Sequence, residues 1–141
     1  YAMYIYNKTD KPLPSSYSSV TEGYVTPVVN QGSGGNCWAF ATIATLESCI
    51  LKASGDSLDF SEENMKNLMG LYSPYGWNLE TNDGGYDRMG YAYLIGWLGP
   101  VNETDDKYKK DSVLSPVLNS LVHVQNMLLL NNPLMVLLLV G

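Results

Sequence analysis

Hydrophobic side chains recur at helical spacing in three stretches of the chain. From Cys37 to about Lys52, Phe40, Ile43, Ala44, Ile50 and Leu51 fall at i, i+3, i+4, i+10 and i+11, one face of a helix that Gly55 should stop. Glu47 lies on the same stripe, where an apolar residue is expected. It reads either as a buried carboxylate satisfied by backbone or a partner, or as a general acid. Nearly three turns separate it from Cys37, so the structural reading is preferred. Ser61-Glu62-Glu63-Asn64 begins a second helix, with Ser61 as cap, glutamates at the positive end, Met65, Leu68 and Met69 as the apolar face and Gly70 at the end. A third helix is predicted over Asp87 to Leu98, with Met89, Tyr93, Leu94, Trp97 and Leu98 inward and Gly99-Pro100 as the stop.

The intervening segments have different patterns. Residues Tyr1 to Tyr24 are rich in Tyr, Ser and Pro and read as an extended, irregular leader. Val25 to Val29 is a short β-like run, and Tyr72 to Asp83 is a loop. Val101 to Tyr108 is acidic and turn-forming; without the spacing and glycine of an EF-hand loop it reads as a solvated turn, not a calcium site. Leu121-Val122-His123-Val124-Gln125 alternates like a strand. Met127 to Gly141 is almost wholly apolar, but too short and interrupted for a bilayer span, which takes ~20 apolar residues. It is expected to be a truncated or frame-shifted end, with its sheet partners in an absent half. Asn7-Lys8-Thr9 and Asn102-Glu103-Thr104 match the glycosylation sequon, a short pattern that often arises by chance.

Composition narrows the class. A chain of 141 residues, 45% hydrophobic and 16% charged, suits one globular domain with a real core. A net charge of −6 argues against nucleic acid, since no basic stripe faces phosphates. No charged n-region with an apolar core opens the chain, so no signal peptide is read there, and a mature or trimmed protein would look the same. With one histidine and two cysteines no zinc constellation assembles, and no metal site is expected. Cys37 and Cys49 on one helix lie about 18 Å apart along its axis, too far for a disulfide. Cys49 reads as a small buried residue.

The candidate chemistry lies in Gln31-Gly-Ser-Gly-Gly-Asn-Cys-Trp-Ala-Phe40. A glycine-rich turn runs into a cysteine, and an apolar helix starts at once behind it. Asn36 is expected to cap that helix with its side chain. Cys37 then takes the first helical position, where free N–H groups and the helix dipole favour a thiolate, the reactive form of cysteine. A bend at the glycines could return the Gln31 amide to the sulfur. The Cys37 N–H and the Gln31 side chain would then be donors for the negative charge on an attacked carbonyl.

This stretch resembles the active-site segment of the papain-like cysteine peptidases, whose signature is C-G-[SA]-C-[WY]. Gly34-Gly35-Asn36-Cys37-Trp38 matches it with two departures. Gly34 stands where most members have a disulfide-forming cysteine, and Asn36 replaces Ser or Ala. Leu58-Asp59-Phe60-Ser61-Glu62-Glu63 resembles the segment after the family's first helix, and Val101 to Tyr108 resembles a stretch common in bacterial members. The likeness runs from about Leu13 to Gln125. It implies an α+β fold, of which this chain would be mainly the helical N-terminal subdomain plus the first strand or strands of the β subdomain. The expected division is leader 1–24, helical subdomain 25–110 and the start of the β subdomain 111–141.

By the same resemblance Cys37 is the nucleophile, Gln31 the oxyanion donor, and Trp38 packs beside the cleft. Gly84, Gly85 and Tyr86 line the substrate cleft, where glycine lets an extended peptide approach closely. On its own the Gly-Gly pair is a weak signal, better read as a tight turn before the third helix. The implied function is a cysteine endopeptidase acting on peptide or protein substrates, with no cofactor. A secreted or cell-surface location is implied by the family alone. The family's histidine and asparagine follow the cysteine by ~130–150 residues, whereas only positions 38 to 141 follow Cys37 here. The single histidine, His123, reads as a strand residue before it reads as the base. Two alternatives stand beside the peptidase: a catalytically inactive papain-fold peptide-binding module, and a half completed by a missing C-terminal part or second chain.

Overall fold

The computed structural model describes residues 14–127. Most of the predicted leader, the Asn7 sequon and the apolar run from Leu128 to Gly141 lie outside the described residues. Three helices organise the rest: α1 (Cys37–Ser54), α2 (Glu62–Leu68) and α3 (Asp87–Ile95). No helix among the described residues is long and apolar enough to cross a membrane.

α1 ends where the glycine signal places its end. Gly55 adopts a left-handed conformation with φ 83°, and its N–H donates to the Leu51 carbonyl. Its buried stripe, however, is Ala39, Ile43 and Glu47, with Trp38 beside them. Ala44, expected inward, is exposed, and Phe40 is only half-buried. The contact face is therefore turned from the one the apolar residues mark. Glu47 is buried as expected and fully engaged: Oε1 accepts from the Phe60 N–H at 2.8 Å and Oε2 from the Thr26 hydroxyl at 2.8 Å. The carboxylate thus ties α1 to the approach to α2 and to the segment before the Gln31 loop.

Ser61 caps α2 as its sequence predicts, accepting from the Asn64 N–H at 3.0 Å. The methionine stripe is core, with Met65, Leu68 and Met69 all buried. The polar face of α2 is buried too. Lys66 reaches Glu63 at 3.0 Å and donates to the carbonyls of Lys109, Lys110 and Ser112. Glu63 also accepts from the Lys109 N–H and the Asn67 amide. Asn64 donates to Asp106 and to the Pro116 carbonyl, and accepts from the Tyr93 hydroxyl. The segment 103–116 therefore wraps α2 as a polar collar. The acidic turn read as solvated is anchored instead: Val101 is buried, Glu103 pairs with the Tyr108 N–H, and Phe60 bridges Asn102 antiparallel.

α3 is shorter than its pattern suggests. After Ile95 the Trp97 N–H donates to the Leu94 carbonyl and the Leu98 N–H to the Tyr93 carbonyl, the paired bonds that close a helix end. Trp97 occupies the left-handed position with φ 57°, so its side chain leaves the helical phase. It is 50% exposed, contrary to the inward expectation, and stacks on His123 at 4.3 Å. Met89, Tyr93 and Leu94 do face inward. They meet Trp38, Ala39, Ile43, Phe60, Met65 and Leu68 in one core. Neither Val25–Val29 nor 121–125 is a strand among the described residues. A strand needs a ladder partner for its backbone groups; in the 121–125 run the Leu121 N–H donates to the Pro100 carbonyl, while the Val122 and Val124 carbonyls accept from the side chains of Ser120 and Trp97.

Candidate active site

The glycine-rich run folds into a tight loop with Gly32 at φ 66°. Gln31 is half-buried, and its Nε2 donates to the Gly34 carbonyl at 2.8 Å, a bond that closes the loop on itself. An amide nitrogen carries two hydrogens, and this bond uses one. Cys37 is the first residue of α1 and is exposed, as a nucleophile must be.

Asn36 does not cap α1 in the expected way. Its backbone, at φ −105° and ψ 13°, lies outside the extended region from which a side chain swings over the first turn. The Asn36 carbonyl instead accepts from the Ala39 and Phe40 N–H groups. Its side chain, sealed from solvent, donates to Asn82 Oδ1 at 2.9 Å and to the Tyr108 hydroxyl at 2.9 Å. The Cys37 and Trp38 N–H groups at the helix start are therefore not taken by a capping side chain.

Sequence-distant pieces meet here. The Gly35 N–H donates to the Asn82 carbonyl at 2.8 Å, and a Cβ at Gly35 would press on the Gly84 backbone. A Cβ at Gly85 would collide with the Trp38 indole. Gly85 thus has a packing reason to be glycine that the sequence pattern alone could not supply. Gly84, at φ 100°, has open space where a side chain would stand. Tyr86 follows Gly85 and is 58% exposed, its ring 6.5 Å from the ring of Trp77. The fold thus draws the Gln31–Trp38 loop and the Gly84–Tyr86 segment together, with Trp38 buried between α1 and Gly85.

Three participants were not legible in the sequence. Asn82 and Tyr108 hold the loop from outside, and Lys110 donates to the Ser33 hydroxyl at 3.1 Å. Nothing in their local pattern marks them, since their partners lie 46 to 77 residues away. His123 is stacked on Trp97 beyond the C-terminal end of α3, whereas Gly85 lies just before the N-terminal end. The helix between them is about 13 Å long. Among the described residues no group of three or more His, Cys, Asp and Glu is placed to hold a metal ion.

Cys37 is thus exposed at the start of α1, and the next residue, Trp38, packs against Gly85. The sequence pattern of the papain family cysteine proteases matches residues 13–126, and the chain belongs to that family. Pro-cathepsin H of Medicago truncatula is 34% identical over 86 residues, which cover 61% of this chain and 23% of that protein. The cathepsin L-like proteinase of Fasciola hepatica is 35% identical over 89 residues, 63% of this chain and 26% of that protein. Among solved structures, the cysteine protease and lectin-like domains of Cwp84, a surface layer associated protein of Clostridium difficile, superpose with a TM-score of 0.63 at 34% identity. That match covers 71% of this chain and 22% of the other. The chain thus spans about a quarter of the length of these curated relatives.

Proposed function

We propose that this chain carries the nucleophile half of a cysteine endopeptidase. The observation that supports this best is the exposed Cys37 at the first turn of α1, beside a loop that bonds Asn82 through the Gly35 N–H and packs on the Gly84 backbone. In this reading the Cys37 sulfur, as thiolate, adds to a peptide carbonyl carbon, and the oxygen takes up the charge. The Cys37 N–H and the second Gln31 amide hydrogen receive that oxyanion. Its collapse breaks the C–N bond, and the departing amine takes a proton from an imidazolium. Water then cleaves the thioester, releasing a carboxylate and restoring the thiol. The imidazole and its orienting amide are assigned to sequence outside these 141 residues, on the β subdomain or a partner chain. Residues 111–127 would lead into that subdomain. The peptide substrate would lie extended along Gly84, Gly85 and Tyr86, with Trp38 packed behind them. No cofactor enters this reaction, no nucleic-acid partner is proposed, and a secreted or surface location fits the family.

The position of His123 favours a second reading for the chain by itself, a peptide-binding module without turnover. A thiol-directed peptidyl epoxide at neutral pH separates the two, with labelling counted at each cysteine by mass spectrometry. The peptidase reading expects Cys37 to label at least tenfold faster than Cys49, which is half-buried and whose thiol pKa is raised by burial. Fast labelling without peptide hydrolysis identifies a half-site. Equally slow labelling of both cysteines removes the enzymatic assignment.

A further inference from the structure

The proposed chemistry requires Gln31 and Cys37 to keep a fixed spacing, yet four of the five residues between them, Gly32, Ser33, Gly34 and Gly35, are those of a flexible linker. Glycine backbones lose the most conformational freedom on ordering, so the single internal bond from Gln31 to the Gly34 carbonyl does not fix such a loop at both ends. Small errors in the placement of an oxyanion donor are costly to rate. Something outside the loop must hold both of its ends.

One oxygen does so. The Tyr108 hydroxyl donates to the Gln31 carbonyl at 2.8 Å and accepts from Asn36 Nδ2 at 2.9 Å. Gln31 opens the loop and Asn36 closes it, immediately before Cys37. The phenol uses its single hydrogen on one end and a lone pair on the other, so both bonds are made at once. Its ring is itself gripped. Phe40 meets it edge-on at 4.9 Å, the Lys66 ammonium lies 5.4 Å from its centre, and its backbone N–H donates to Glu103. The Lys66 and Glu63 collar fixes the flanking residues Lys109 and Lys110 to α2. The buried polar face of α2 thereby gains a purpose beyond stability: it gives the Tyr108 hydroxyl a rigid mount.

We propose that Tyr108 is a positioning residue that sets the distance between the Gln31 amide and the first turn of α1. Its effect on reactivity rests on the peptidase reading above; its clamp on the loop does not. The test is Tyr108→Phe in the full chain, which keeps the ring, its contact with Phe40 and its place over Lys66, and removes one oxygen. Backbone hydrogen exchange is expected to quicken about five- to tenfold across residues 32–37, the loss of roughly one hydrogen bond's worth of protection. Exchange in α2 is expected to stay within twofold. Labelling of Cys37 by the peptidyl epoxide is expected to slow at least fivefold, while alkylation by iodoacetamide, which needs no oxyanion donor, stays within twofold. Adding Tyr108→Phe to Gln31→Ala is expected to cause no further slowing, because the two act through one donor.

Unchanged exchange at 32–37 overturns the proposal, as does a uniform rise over the whole molecule, which would make Tyr108 a residue of general stability. If Gln31→Ala alone leaves epoxide labelling unchanged, the oxyanion role of Gln31 is lost, and the exchange result still decides whether Tyr108 sets the loop.

Discussion

Glu62 offers the sharpest energetic test of this fold. It opens α2 with 5% of its surface exposed. Burial lifts its pKa from the ordinary 4.5 to about 7; its own backbone N–H opposes the shift, and Glu103, Glu47 and Asp59 add repulsion that furthers it. In the unfolded chain the carboxyl gives up its proton near 4.5, in the folded chain near 7. Between those values the native state binds the extra proton, so the free energy of unfolding falls as pH rises and levels off above about 7. The displacement corresponds to about 3 kcal/mol. Glu62→Gln replaces the protonated acid with a neutral group of the same shape. The variant is expected to match the wild type near pH 4 and to exceed it by about 3 kcal/mol at pH 8. Glu47 and Glu103, whose pKa values are also raised chiefly by burial, remain in both proteins and largely cancel from the difference. Urea denaturation at intervals from pH 4 to 8, with m-values compared at each point, measures it. A variant less stable than wild type at pH 8, or a difference that does not grow with pH, would refute the reasoning.

Two further substitutions test the packing that holds the site. Lys66→Ala leaves the buried Glu63 carboxylate without its cation and three carbonyls without their donor, and should cost about 3–5 kcal/mol in urea denaturation. The double variant Glu63→Gln with Lys66→Met should recover much of that loss, and a single-variant cost below about 1 kcal/mol would show the collar to be incidental. Gly85→Ala places a methyl group against the Trp38 indole and should cost about 1–3 kcal/mol, accompanied by a shift in tryptophan fluorescence. Stability and emission both at wild-type values would mean that this contact is not made in solution.

Several features of this protein are local enough to be read directly from the sequence. Ser61 caps α2 because a hydroxyl three residues before a free N–H needs nothing else. Gly55 ends α1 because only a residue without a Cβ enters the left-handed region at no cost. The cysteine motif is likewise contiguous, and it led to the family. Helix three shows how far such reading reaches. Its apolar spacing continues through Trp97 and Leu98, but the chain turns at Trp97, whose φ is 57°, and the indole is left exposed beside His123.

What the chain order conceals is where polar groups find partners. Asn36 has the composition of a cap, yet its amide is claimed by Asn82 and Tyr108 from 46 and 72 residues away. The charged face of α2 has the pattern of a solvated surface, yet the 103–116 segment covers it and bonds Glu63, Asn64 and Lys66. Gly85 looks like an ordinary turn glycine until the Trp38 ring is set against it. The end of α1, the Ser61 cap and the cysteine motif follow from neighbours within a few residues, so the sequence by itself determined them. The mounting of the Gln31 loop depends on hydrogen bonds between segments that only folding brings within 3 Å, and the tertiary structure alone decided it.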